Sequence, residues 1–391
     1  MFSKEIFNLT EKYYEKMVNL RHKFHMNPEL AFNEIETSKT VANELEKLDI
    51  QVKTNIAQTG VMGLMNGKYP GRTVLLRADM DALPISEDVP IEFKSKIDGI
   101  MHACGHDGHT AALLGTAMIL NDLKDKLHGN IKFVFQPAEE GEGGAKLMID
   151  EGILENPKVD AAFACHLWGD VLEGHIEIKQ GAIMASSDDF KFKVLGKGGH
   201  GSTPHLCIDP INIAIQVITN IQMFISRRVN PIKPVVVSFC SIHGGRGINS
   251  IPDEVEVMGT IRTFDNKTRD FSINAIKSIL KSVTESEGAG YEFNYISFAP
   301  PVINDYFMTD MVIKSATEIL GEDKILNKLE PNMGAEDFAF FSNSIPSALF
   351  LVGIMKEKEI IAHSSNFNWD DKNLKTSAKC LAQVAVNFLE S

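Results

Sequence analysis

TVLLRADMD (73–81) is an apolar run that ends in two aspartates, and the segments around it repeat one grammar. HTAALLGTAMILNDL (109–123) reads as a helix, IKFVFQ (131–136) as a strand, GGAKLMIDEG (143–152) as a short helix and VDAAFACHL (159–167) as another strand. Strands alternating with helices predict a largely parallel sheet with helices on its faces. Residues 1–47 read as amphipathic helix broken at Asn27-Pro28, and SALFLVGI (347–354) as a further apolar strand. Between these parts the pattern changes. DFKFKVLG (189–196), PVVVSFCSI (234–242), EVEVMGTIRTF (254–264) and YEFNYISF (291–298) read as strands, with helices over 209–228 and 267–287. That order, β-α-β-β-α-β, is the ferredoxin-like arrangement. The fold expected is α/β: a discontinuous domain of residues 1–184 and 299–391 with a mainly parallel central sheet, interrupted by an inserted ferredoxin-like α+β domain over 185–298.

Composition removes several classes of function. With 391 residues, 44% apolar and 23% charged, the chain has the makings of two or three packed domains rather than a disordered or fibrous protein. Its 39 Lys and Arg against 52 Asp and Glu leave a net charge of −13, with no basic cluster to neutralise a run of phosphates, so nucleic acid is not an expected partner. The charged N-terminal stretch MFSKEIFNLTEKYYEKMVNLRHKFH lacks the apolar core of a signal peptide, and no run approaches the ~18 apolar residues of a membrane span. Five widely spaced cysteines argue for reduced thiols. A cytoplasmic protein is expected.

The residues that can bind metal or move protons fall where the strands end. Asp79 and Asp81 follow 73–78, Glu139 and Glu140 follow 131–136, His166 ends 159–165, and His363 follows 347–354. In open α/β sheets the carboxyl edge is where ligands bind. MHACGHDGH (101–109) adds His102, Cys104, His106 and His109 just before a helix, whose N-terminus is expected to lower the thiol's pKa. A lone buried His or Cys is more often a core residue, and a Glu-Glu pair in a loop is usually solvated. Together, Cys104, His106, Glu140, His166 and His363 supply the sulfur, imidazole and carboxylate donors that suit Zn²⁺ or a similar ion. Two four-coordinate ions need about eight metal–ligand bonds, which these five residues meet if Cys104 and a water both bridge. Glu139 is then placed to act as general base on that water, and Asp81 to orient a ligand His.

Eight segments, RADMDALPISE (77–87), MHACGHDGHTAALLGTA (101–117), FQPAEEGEGGAKLMIDEG (135–152), HLWG (166–169), GGHGSTPH (198–205), NSIPDEVEVMGTIR (249–262), NMGAEDFAFF (332–341) and HSSNF (363–367), resemble the metal-dependent amidohydrolase family. That family includes aminoacylases, hippurate hydrolases and auxin-conjugate hydrolases and is distantly related to carboxypeptidase G. The resemblance implies two divalent metals per subunit (Zn²⁺ or Mn²⁺, with Co²⁺ or Ni²⁺ also used) held by Cys104, His106, Glu140, His166 and His363. It implies Glu139 as catalytic carboxylate and Asp81 as its support. Asp79 stands where carboxypeptidase-like relatives carry a metal-binding His, a departure shared by the aminoacylase-like subgroup. The resemblance further implies that His200 reaches a neighbouring subunit's active site, that Asn249 and Arg262 hold the substrate carboxylate, and that the inserted domain makes a homodimer or homotetramer. The activity implied is hydrolysis of N-acyl-L-amino acids. N-acetyl-diaminopimelate deacetylation and dipeptide or carboxypeptidase cleavage are the near alternatives. A thiol hydrolase built on Cys104 and a non-catalytic metal- or peptide-binding protein are the distant ones. His102 and His109 are expected to support the site or the fold, and Glu336 and Asp337 to line the pocket, with no step assigned to them.

Overall fold

The computed structural model describes residues 2–327 and 330–391. In chain order the elements are α1 (Phe2–Met26), α2 (Ile35–Glu46), β1 (Gln51–Ile56), β2 (Gly60–Asn66), β3 (Tyr69–Asp79), α3 (His106–Leu123), β4 (His128–Gln136), α4 (Gly144–Asp150), β5 (Ala161–Leu172), β6 (Ile176–Ile178) and β7 (Gly181–Met184). They continue with β8 (Ser187–Leu195), β9 (Gly199–His200), α5 (Pro210–Arg228), β10 (Val235–Gly244), β11 (Ser250–Ile251), β12 (Glu254–Thr263), α6 (Asn266–Ser286) and β13 (Gly290–Ala299). The last are β14 (Val302–Asn304), α7 (Tyr306–Leu320), β15 (Ile325–Asn327), α8 (Ala339–Ser342), β16 (Ser347–Met355) and α9 (Asn373–Leu389). Residues Met1–Gly181, Ile303–Glu330 and Asp337–Ser391 form one unit, and Ala182–Val302 with Pro331–Glu336 a second.

The first unit is built on a sheet of order β1-β2-β4-β3-β5-β16-β6-β15. Its centre, β4-β3-β5-β16, is parallel throughout, as the buried strands and intervening helices predict. The antiparallel extension β1-β2 was not legible, because β1 is largely exposed and carries no apolar run. α3 begins at His106, one turn before the apolar periodicity starts, and nearly every residue along it is buried. Small residues permit that burial: a Cβ on Gly115 would sit 2.1 Å from Met17 Sδ of α1. The second unit has a four-stranded antiparallel sheet of order β10-β12-β8-β13 with α5 and α6, the ferredoxin-like pattern, plus a two-residue ribbon β9-β11. Among the described residues no helix is long and apolar enough to cross a membrane.

Beneath the start of α3 lies a charged network with almost no solvent access. His25 Nδ1 is 2.9 Å from Asp107 Oδ2 and its Nε2 is 3.2 Å from Glu87 Oε1. Arg21 donates to the same Asp107 oxygen at 3.2 Å and to Asp371 at 2.5 Å, with its guanidinium 3.5 Å over the Trp369 ring. Burial alone would lower the His25 pKa; Asp107 and Glu87 overcome it and push it up to about 9, against the repulsion of Arg21. His102, whose ring lies 6.4 Å away, is pushed down to about 4 by burial and is neutral.

A pH dependence of stability follows. Below the unfolded imidazole value of 6.5 the His25 contribution is complete, and it is lost as pH rises through about 9. At about 1.4 kcal/mol per pKa unit the full contribution is on the order of 3 kcal/mol. The thermal midpoint should therefore fall between pH 6.5 and 9, and His25→Gln should flatten that slope. Equal slopes in both proteins would contradict the assignment.

Candidate functional site

The parallel strands β3, β4, β5 and β16 bring their carboxyl ends to one edge. β3 and β5 are paired as far as Arg77 and Ala164, so Asp79 and His166 each follow the last pair by one pleat repeat. β3 ends at Asp79 and leaves Asp81 in the following loop, while His166 does not end its strand: β5 runs on to Leu172. That extension is made by pairing with β16, which continues through Gly353–Trp168.

All five donors predicted from sequence converge here. His106 Nδ1 is 2.9 Å from the main-chain oxygen of Asp81, which assigns a proton to that nitrogen and turns Nε2 toward the other donors. His106 Nε2 and Glu140 Oε1 are buried and 3.9 Å apart, and His106 Nε2 has no hydrogen-bond partner. His363 Nε2 lies 3.1 Å from that same glutamate oxygen. His166 Nδ1 is 2.7 Å from its neighbour's carbonyl, Leu167 O, which turns Nε2 toward Cys104 Sγ at 3.6 Å. The donor atoms of Cys104, His106 and Glu140 all lie within 4.8 Å of one another. An orphaned imidazole nitrogen among a thiol, further imidazoles and a carboxylate fits a divalent first-row ion.

The expected lowering of the Cys104 pKa is not found. Desolvation pushes the thiol up and Glu140 adds to it, while His106 and His363 only partly oppose them. The helix end is outweighed, and a bound cation rather than the helix would have to hold the thiolate. His166 is kept neutral by burial and by His109 beside it.

Asp79, His106, His109 and His166 form a second tight group, but His109 has no lone pair to offer. Its Nδ1 is 2.6 Å from Asp79 Oδ1, and its Nε2 accepts the Leu167 N–H at 2.9 Å. His109 is a brace between β3 and β5. Despite its burial Asp79 stays well below the ordinary carboxylate range, held there by His106, His109 and Arg77.

The loop carrying Glu139 and Glu140 is fixed by carboxylates from elsewhere in the chain. Asp81 accepts the N–H of Glu139 at 3.0 Å and of Glu140 at 2.9 Å. Asp81 thus orients His106 through its carbonyl and uses its carboxylate on the loop. Glu34 accepts the N–H of Ala138, a residue at φ +55°, at 2.9 Å. Burial pushes the Glu34 carboxyl up to about 6. The loop then turns into α4 so closely that a Cβ on Gly144 would lie 1.8 Å from Pro137 O. Glu34, Arg77 and Gln136 were missed from sequence; the signal for Arg77 was a cation inside an apolar strand, LLRAD.

The other predicted residues lie in the second unit. His200 pairs with Ser250 on the exposed ribbon, and beside it Gly201 donates to the main-chain oxygen of Asn249 at 2.8 Å. His200 Nδ1 accepts from Ser202 N at 3.1 Å, which assigns the ring proton to Nε2. Arg262 is half-buried on β12 and donates to Thr260 Oγ1 at 2.7 Å. Glu336 is buried.

Three comparisons bear on this site. A thermostable carboxypeptidase 2 of Saccharolobus solfataricus is 42% identical over 379 residues, covering 95% of each chain. An N-acyl-L-amino acid amidohydrolase of Geobacillus stearothermophilus is 43% identical over 305 residues, 78% of this chain and 82% of that one. The crystal structure of the Bacillus subtilis YXEP protein, described as a dinuclear metal binding peptidase from the M20 family, superposes with a TM-score of 0.85 at 34% identity, covering 97% of this chain and 99% of that one. Residues 75–387 match peptidase family M20/M25/M40. This span holds every donor of the cluster, and the chain belongs to that family.

Proposed function

We propose that this chain is a metal-dependent amidohydrolase that cuts the bond between an acyl group, acetyl, benzoyl or similar, and the nitrogen of an α-amino acid. The observation that carries the reading is the placement of Glu139 next to Glu140, on a loop pinned by Asp81, with Glu140 in one cluster of donor atoms with Cys104 and the unpartnered His106 Nε2. Cys104, His106, Glu140, His166 and His363 would hold two divalent ions, Zn²⁺ or Mn²⁺, with Co²⁺ and Ni²⁺ compatible with the same donors. When bound, such ions acidify a water and polarise a carbonyl.

The chain's own residues do the rest. Glu139 takes a proton from the attacking water and returns it to the leaving amine, so the products are a carboxylate and a free amino acid. His200 of the partner subunit donates its Nε2–H to the oxygen that gains charge as the carbonyl becomes tetrahedral. Asn249 and Arg262 hold the substrate carboxylate. The inserted unit is the dimerisation element, and homodimers or paired dimers follow. Five free cysteines favour a reducing, cytoplasmic setting. The relative named a carboxypeptidase supports a second reading, cleavage of a peptide whose acyl group is an aminoacyl residue; the chemistry is unchanged. Parallel assays on N-acetyl-, N-benzoyl- and N-aminoacyl-amino acids separate the two.

Glu139→Gln should lower kcat by about 10³-fold or more with metal content unchanged; turnover within tenfold of the parent would remove Glu139 from the mechanism. Subunit exchange tests His200. Glu139→Gln and His200→Ala proteins should each be nearly inactive, whereas heterodimers formed by mixing them contain one intact site, giving about a quarter of the parent activity at random assortment. No recovery on mixing would contradict a contribution across subunits.

A further inference from the structure

Asp337 is assigned no step from the sequence, yet its carboxylate is the most heavily anchored group near Glu139. Oδ1 accepts from Arg77 Nη2 at 2.9 Å and Gln136 Nε2 at 2.7 Å; Oδ2 accepts from Gln136 Nε2 at 2.8 Å and from the main-chain N–H of Ala145 at 2.9 Å. Gln136 is the last residue of β4 and Ala145 lies in the first turn of α4, so one carboxylate ties together both ends of the loop that carries Glu139. The main-chain N–H of Asp337 then reaches Glu139 Oε1 at 3.3 Å, inside the protein.

Arg77 extends the anchor toward the donor cluster. Its Nε donates to Gln136 Oε1 and its Nη1 to Asp79 Oδ2, both at 2.8 Å. Asp79 in turn holds His109, which takes the N–H of Leu167 beside His166. A rigid chain of buried charge and hydrogen bonds therefore runs from the Glu139 carboxylate to the strand bearing His166. Arg77, Asp79 and Asp337 are almost wholly inaccessible to water, where such bonds are strong and leave little freedom of movement.

We propose that Asp337, clamped by Arg77 and Gln136, is a positioning residue for Glu139: its side chain fixes the loop and its N–H fixes the plane of the Glu139 carboxylate. The inference rests on the reading of Glu139 as the proton carrier. A neutral amide at position 337 keeps the shape but places an N–H₂ against the donors of Gln136 or Ala145, so the loop must shift. Misplacement on the order of 1 Å costs about 10²-fold in rate.

The test compares Asp337→Asn, Glu139→Asp and the double variant on an N-acetyl amino acid, with metal content and thermal midpoint measured on each. Asp337→Asn should lower kcat by about 10- to 100-fold with KM within about twofold and metal content unchanged. In the Glu139→Asp background, where the shortened side chain no longer meets the Asp337 N–H, the same change should have almost no further effect. Parental kcat in Asp337→Asn, or an equal loss in both backgrounds, would overturn the proposal. If Asp337→Asn does not fold, Gln136→Met, which leaves the Arg77 and Ala145 anchors in place, carries the same expectations and the same refutation. Glu139→Gln as active as the parent would instead refute the proton-carrier reading itself.

Discussion

A guanidinium buried in the middle of a parallel sheet is the constraint on which the rest of the first unit depends. Arg77 cannot be left inside the protein without carboxylates, and it is paired with Asp79 at the end of its own strand and with Asp337 from a segment 260 residues away. Removing one partner of such an arrangement typically costs about 3–5 kcal/mol, because a buried charge is left uncompensated. The sheet and the loop after β4 are thus coupled: the Asp337 carboxylate that offsets the Arg77 charge also holds both ends of that loop. The same bonds that neutralise the charge set the position of Glu139.

Most of the acidic residues around the site hold structure rather than substrate. Asp81 occupies two main-chain N–H groups, Glu34 one, Asp79 holds His109, and Asp107 holds His25 and Arg21. Each fixes a loop or an imidazole that could otherwise rotate. Catalytic geometry of this kind needs a rigid supporting layer, and here that layer is charged, built from carboxylates accepting N–H groups in places where water cannot compete. It also settles the tautomers: His106 and His166 both give their Nδ1 protons to main-chain oxygens and aim Nε2 into the cluster.

Much of this could be read in the sequence, and the reason is local. Apolar strands that end in His, Asp or Glu are visible in a window of ten residues, and the parallel-sheet rule then gathers Glu140, His166 and His363 at one edge without knowledge of any contact. The alternating strands and two helices of the second unit were legible for the same reason. What could not be read was either short or distant. The ribbon of β9 and β11 has two residues per strand and no periodicity to detect. The start of α3 is hidden because His106 and Asp107 are polar yet buried. The use of Asp81 on main-chain N–H groups, and the links from Arg77 to Asp337 and from Glu34 to Ala138, are tertiary facts. The Cys104 expectation failed for a physical reason as well: a helix end acts over one turn, and burial outweighed it.

Cys104, His106, Glu140, His166 and His363 are proposed to form a metal centre for amide hydrolysis. Elemental analysis of protein purified without chelator or metal-affinity steps tests it most directly, alongside hydrolysis of an N-acetyl amino acid before and after dialysis against chelator. About two equivalents of divalent metal per subunit are expected, with loss of activity when the metal is removed and recovery on adding it back. Protein that contains no metal and still hydrolyses the amide in chelator would contradict it.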